Sequence, residues 1–118
     1  MAKPTVLHNP NCGTSRTVLE SLRDAGVEVD VVQYLKTPLD EAGLRTLLGQ
    51  LVDPPADLVR KDKRFGELGL VADDYTTVDA VVALLVEHPE LMQRPVVRSG
   101  RKAVIARPAT RALEFLGS

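Results

Sequence analysis

One residue of the 118 can act as a sulfur nucleophile: Cys12, in the segment Asn11-Cys12-Gly13-Thr14-Ser15-Arg16. A lone cysteine is ordinarily a small buried apolar residue. Here its neighbours Pro10, Asn11, Gly13 and Thr14 are loop and helix-start residues rather than core residues. At the start of a helix, unpaired amides and the helix dipole favour a thiolate and lower the thiol pKa. Ser15 stands three residues on, where a dithiol protein carries its second cysteine. Its hydroxyl can donate a hydrogen bond to a thiolate but cannot resolve a mixed disulfide. Any redox cycle through Cys12 must therefore draw electrons from thiols outside the chain. Serine is also an ordinary helix-start residue, so the spacing alone says little.

The second group of interest is arginine, whose planar fork grips tetrahedral oxyanions two oxygens at a time. Arg94 and Arg107 sit where the chain changes direction, one before and one after a pair of short apolar runs. Such loop ends converge at one edge of a sheet and suit functional groups. Taken singly, each reads equally as a solvated surface residue. Arg60 belongs to the charge run Arg60-Lys61-Asp62-Lys63-Arg64, a pattern that usually marks a wet face. His8, at the end of an apolar run, reads by itself as a strand-end residue more than as a base. His88, before Pro89, reads as structural.

The elements that must position these groups follow from the pattern. Thr5-Val6-Leu7-His8 is a first strand, broken at Asn9-Pro10-Asn11. From Ser15 the period changes: Val18, Leu19 and Leu22 share a helical face that stops at Gly26. Val27 to about Tyr34 alternates as a second strand, and a βαβ unit of this spacing makes the two strands parallel. Thr37 to Asp40 opens a helix carrying Leu44, Leu47, Leu48 and Leu51, ended by Asp53-Pro54-Pro55. Short helical turns are expected over Ala56 to Asp74, then a helix from Thr77 to Glu87. Pro95 to Arg98 and Lys102 to Ile105 form a hairpin around Ser99-Gly100-Arg101. Pro108 suits the first turn of a last helix ending near Leu116. The order βαβ, helical middle, ββα around one four-stranded mixed sheet is the thioredoxin-like α/β arrangement.

Composition narrows the function. Hydrophobic residues at 44% and charged residues at 26% are those of a folded globular chain, not a disordered one. Lys plus Arg number 15 and Asp plus Glu 16, a net charge of -1, so no global basic field attracts nucleic acid or an acidic membrane. Aromatics are 3%, too few for a base-stacking platform. No apolar run approaches the roughly 20 residues of a membrane span. The start lacks the long apolar stretch of a secretory leader, so a cytoplasmic protein is expected. One cysteine and two histidines exclude a disulfide framework and leave no metal site to expect. The length fits a single domain over 1–118.

The segment His8-Asn9-Pro10-Asn11-Cys12-Gly13-Thr14-Ser15-Arg16 resembles the active-site segment of the glutaredoxin-dependent arsenate reductases. Leu58-Val59-Arg60-Lys61, Glu67-Leu68-Gly69-Leu70, His88-Pro89, Arg94-Pro95-Val96-Val97 and Arg107-Pro108 extend the likeness over about the whole chain. The resemblance implies a thioredoxin-like fold with a helical insertion over roughly 38–90 and a cis bond before Pro95. It implies that Cys12 attacks arsenate, that Arg60, Arg94 and Arg107 bind the oxyanion and stabilise the thiolate, and that His8 and Ser15 tune the thiol. Only this match selects Arg60 over Arg64. It further implies no bound cofactor, an external small thiol such as glutathione as reductant, and a glutaredoxin-type partner. Nucleic acid and membrane partners are not implied. Other members of the family act on other oxyanion or thiol substrates, or bind RNA polymerase as redox regulators. Ser15 removes the Cys-x-x-Cys switch of that regulator branch.

Overall fold

The computed structural model describes residues 3–117, so the expectation about the very start of the chain, at Met1 and Ala2, lies outside it. Four strands form one mixed sheet in the order β2-β1-β3-β4. They are β1 (Thr5–His8), β2 (Asp30–Gln33), β3 (Val96–Ser99) and β4 (Lys102–Ile105). The helix α1 (Gly13–Asp24) joins β1 to β2, which run parallel with Val6 opposite Val31. β1 pairs antiparallel with β3 and β3 with β4, which completes the thioredoxin-like topology expected from the element order. Between β2 and β3 lie α2 (Glu41–Gln50), α3 (Lys63–Glu67) and α4 (Val78–Glu87), linked by 3-10 turns at Pro55–Leu58, Ala72–Asp74 and Pro89–Leu91. The chain closes with α5 (Arg111–Gly117). Among the described residues no helix is long and apolar enough to cross a membrane.

Both faces of the sheet are buried over β1, β3 and β4, so these strands carry apolar residues at successive positions rather than alternating. Val6, Val97 and Val104 face Val18 and Leu22 of α1 and Ala112 of α5. Leu7, Val96, Ala103 and Ile105 face the other way, onto Leu44, Leu47 and Leu48 of α2 and Val81, Val82 and Leu85 of α4. The helical middle is thus the second covering layer of the sheet. Its helices start on side-chain caps: Asp40 accepts from the Gly43 amide at 2.7 Å and Thr77 from the Ala80 amide at 3.2 Å.

Two boundaries differ from the sequence expectation. β2 begins at Asp30, not Val27. Gly26, at φ +76, ends α1, and the Val27 amide turns back to the Leu22 carbonyl at 2.9 Å. Val27 therefore belongs to the helix stop, a glycine-dependent C-terminal motif that satisfies carbonyls the helix leaves open. Pro108 does not sit inside the last helix. It lies three residues before α5 and its carbonyl accepts the Arg111 amide at 3.0 Å. Both Arg94–Pro95 and Arg107–Pro108 are cis; the first was expected, the second was not. In the β3–β4 hairpin, Gly100 takes φ +61 in a two-residue loop between Ser99 and Lys102.

Leu85 and Val86 are neighbours on α4, but Leu85 is 2% exposed in the core and Val86 is 50% exposed. Leu85→Ala should therefore lower the unfolding free energy by about 2–5 kcal/mol. Val86→Ala should change it by about 0.5 kcal/mol or less in the same urea titration. Equal losses would mean that α4 does not face the sheet as described.

Candidate active site

The site is built where β1 ends and α1 begins. Asn9 is buried and shapes the connection: its Oδ1 accepts the Asn11 amide at 2.9 Å and its carbonyl accepts the Cys12 amide at 3.0 Å. This turn delivers Cys12 to the N-cap of α1, in extended backbone, with its own carbonyl accepting the Arg16 amide at 3.0 Å. The Arg16 side chain donates back to the Pro10 carbonyl at 2.9 Å and so ties the loop down from outside. Cys12 is 9% exposed.

Burial pushes the Cys12 thiol up, but it is outweighed by the Ser15 amide, then the Arg94 guanidinium, then the Thr14 amide, which together hold the thiol below its ordinary value. The amides form no capping hydrogen bond with the sulfur, so they act as oriented donors around an anion. Arg107 approaches from the loop after β4, with Nη1 at 3.9 Å from Cys12 Sγ. The same Nη1 donates to the Arg94 carbonyl at 3.1 Å. Arg94 in turn donates from its Nη1 to the Glu90 carbonyl at 3.4 Å, while its buried Nε has no hydrogen-bond partner among the described residues. Of the two arginines it is Arg94 that lowers the thiol more, although Arg107 Nη1 also lies in contact with the sulfur.

Ser15 and His8 are present but arranged differently from the expectation. The Ser15 hydroxyl does not face the sulfur. Its oxygen accepts the Asn9 amide at 3.1 Å and lies 2.6 Å from His8 Nδ1. Burial, then the charge of Arg16, lowers the His8 pKa, so the ring is neutral at pH 7. The Ser15 oxygen thus takes the Asn9 amide on one lone pair and shares a second hydrogen bond with His8 Nδ1, whose direction is set by the His8 tautomer. Ser15 therefore serves the thiol through its backbone amide and serves the β1–α1 junction through its side chain. His8 is buried and reaches the thiol only through Ser15.

Arg60 is not gathered into the cluster. Its Nε is bonded to Asp62 Oδ2 at 3.0 Å, and its amide donates to the Leu91 carbonyl at 2.6 Å on a short ladder where Val59 faces Met92. Arg64 is likewise committed, to Glu90 at 3.1 Å. His88 lies 3.3 Å from Glu90, consistent with a structural residue. Two residues were not singled out by sequence. Asn9 is polar at the end of a strand, which reads as a turn and hides its role in setting Cys12. Tyr34 is buried beside Arg94 and Asn9, close enough to feel Cys12. Burial pushes its phenol up, so it stays protonated, and its hydroxyl makes no hydrogen bond of good geometry.

Arg107 stands between two open clefts. One, of about 420 Å3, is lined by Asp53, Asp57, Lys61, Gln93 and Arg111. The other, of about 480 Å3, is lined by Thr14, Thr17, Pro108 and Ala109.

These features define a thioredoxin-like protein whose chemistry centres on one thiol at a helix N-terminus, flanked by guanidinium groups. The chain belongs to the ArsC family, whose model matches residues 7–115. It is 42% identical over 114 residues to the uncharacterized protein YfgD of Escherichia coli K12, covering 95% of each chain. It is 36% identical over 117 residues to an arsenate reductase of Escherichia coli, covering 98% of this chain and 82% of that protein. Its fold matches the structure of an arsenate reductase from Vibrio cholerae with a TM-score of 0.83 and 32% identity, over 95% of this chain and 96% of that one.

The thiolate fraction of Cys12 can be read from the rate of iodoacetamide alkylation against pH. The rate should rise with pH to a midpoint below the value of about 8.5 for a free cysteine. Ser15→Ala should leave that midpoint almost unmoved, because the amide remains. It should cost about 1–3 kcal/mol of stability by leaving the Asn9 amide and His8 without their partner. A large upward shift of the midpoint in Ser15→Ala would show that the hydroxyl serves the sulfur directly.

Proposed function

We propose that this protein reduces arsenate to arsenite through a covalent adduct on Cys12, with an external small thiol and a glutaredoxin-type partner as electron donors. The observation that carries the reading is the low-pKa Cys12 thiol with Arg94 and Arg107 converging on it and no second cysteine in the chain. The likeness to arsenate reductases in sequence and in fold supports the choice of oxyanion.

In the first step the Cys12 thiolate attacks arsenic(V), a sulfur–arsenic bond forms, and one arsenate oxygen leaves as water after protonation. Arg107 and Arg94 offset the negative charge that would otherwise repel thiolate and arsenate from each other. The buried Nε of Arg94, without a hydrogen-bond partner among the described residues, is a donor that an incoming oxyanion would satisfy. Arg60 enters this set only by exchanging Asp62 for the substrate. In the second step a small thiol replaces an arsenic-bound hydroxyl, which leaves as water. The partner's thiolate then attacks the small thiol's sulfur, a disulfide forms between them, and the pair of electrons in the broken sulfur–arsenic bond reduces arsenic(V) to arsenic(III). Hydrolysis of the remaining bond frees arsenite and the Cys12 thiol. The electrons come wholly from the two external thiols, a supply that a reducing cytoplasm maintains.

A second reading, a different oxyanion or thiol substrate at the same site, is favoured by one observation. Identity to YfgD exceeds identity to the arsenate reductases, 42% against 36%.

A coupled assay with arsenate, glutathione and glutaredoxin should show turnover that stops when either thiol component is left out. Mass spectrometry should find the arsenic adduct on Cys12 before thiol is added. Sustained turnover without external thiol would contradict the mechanism, and an adduct with another oxyanion in place of arsenate would favour the second reading.

Arg94→Lys and Arg107→Lys should keep the fold and lose activity, since positive charge survives but the two-pronged grip does not. Each should lower kcat/KM for arsenate by about 10- to 100-fold, the equivalent of one charge-assisted hydrogen bond. Native kcat/KM in both would place these arginines outside the reaction.

A further inference from the structure

After α2 the chain runs beside the outer edge of β4. Leu51 pairs in parallel with Ala103, and the Val52 amide donates to the Ala103 carbonyl at 2.9 Å. Asp53 thereby arrives opposite Ile105, the last residue of β4, and its Oδ2 accepts the Ile105 amide at 3.0 Å. Asp53 Oδ1 accepts from Arg111 Nη1 at 3.0 Å, and that same Nη1 donates to the Ile105 carbonyl at 2.9 Å. Carboxylate and guanidinium together grip both polar groups of one backbone residue. The Ile105 carbonyl also accepts the Arg107 amide at 2.9 Å, so the gripped residue anchors the turn that carries Arg107.

The pair is poorly exposed for two charges: the Asp53 side chain is 12% exposed and that of Arg111 is 34%. Buried ion pairs contribute little net stability and are better explained by the geometry they impose. Asp53 and Arg107 also line the same cleft. Without Arg111, the Asp53 carboxylate would be left in that cleft as an unpaired anion open to Arg107. With Arg111 in place, Arg107 makes no ion pair among the described residues.

We propose that Asp53 and Arg111 are positioning residues for Arg107: Arg111 occupies the Asp53 carboxylate, and the pair holds the turn so that Arg107 meets the anion site free of any carboxylate. The proposal rests on the reading of Arg107 as an anion-binding group.

The test is a double-mutant comparison with two readouts, the KM for arsenate and the pH midpoint of Cys12 alkylation. The second readout needs no arsenate and tests the proposal even where the substrate assignment fails. Arg111→Gln frees Asp53 to capture Arg107, so it should raise KM about tenfold, as loss of one charge-assisted contact does, and move the alkylation midpoint up. Adding Asp53→Asn to Arg111→Gln removes the competing carboxylate and should recover most of both losses, although the melting temperature stays low. A merely structural pair would give the opposite, a double variant no better than Arg111→Gln. That result, or native KM and midpoint in Arg111→Gln, would overturn the proposal. Arg111→Lys serves where Arg111→Gln does not fold. It keeps a cation on Asp53 and should leave the Cys12 midpoint in place, and an upward shift in this variant would overturn the proposal as well.

Discussion

A sulfur anion held at 9% exposure persists only where fixed donors replace the water it has lost. At Cys12 that replacement comes from three directions: the first amides of α1, the Arg94 guanidinium and Arg107 Nη1. Most of the fold can be traced to bringing them together. β1 must end, and α1 begin, within four residues, which Asn9 achieves by accepting the Asn11 amide and the Cys12 amide in one tight turn. β3 and β4 must then return beside β1 so that the chain entering β3 and the chain leaving β4 reach the same edge. The arginines lie at those two ends, each before a cis proline.

The arginines differ in what they bond. Arg45 bonds Asp79 and Glu41, Arg60 bonds Asp62, Arg64 bonds Glu90, and Arg111 bonds Asp53. Among the described residues, Arg94 and Arg107 make no ion pair and donate to backbone carbonyls and, for Arg107, to the sulfur. A guanidinium already neutralised by a carboxylate has little attraction left for an oxyanion, whereas one held by neutral carbonyls is oriented yet keeps its full charge. The helical middle contributes on both counts. It covers one face of the sheet with α2 and α4, and it supplies Glu90 and Asp53, the residues that hold the arginine-bearing turns.

Cys12, Arg94 and Arg107 were legible in the linear sequence because backbone punctuation marks them. Cys12 sits between a strand and a helix start, and each arginine precedes a proline at a strand end. The thioredoxin-like order was legible for the same reason: short apolar β-prone runs and stretches of 3.6-residue period follow one another outside the middle segment. The start of β2 and the turn at Pro108 were misplaced because an alternating pattern and a helix-start proline do not show where the backbone leaves the preceding turn.

What the sequence determined by itself is local: which residues form strands and helices, that one thiol stands at a helix N-terminus, and that no second cysteine accompanies it. Tertiary structure alone decided the partners. The hydroxyl of Ser15 went to His8 rather than to the sulfur because β1 and α1 pack with the His8 ring against it, a contact between positions seven residues apart. Arg60 was withdrawn and Arg107 left open by carboxylates that differ in distance along the chain, Asp62 two residues away and Asp53 claimed across 58 residues by Arg111. Hydrogen-bond and ion-pair choices of this kind depend on a few tenths of an ångström between groups that the chain brings together only when it has folded.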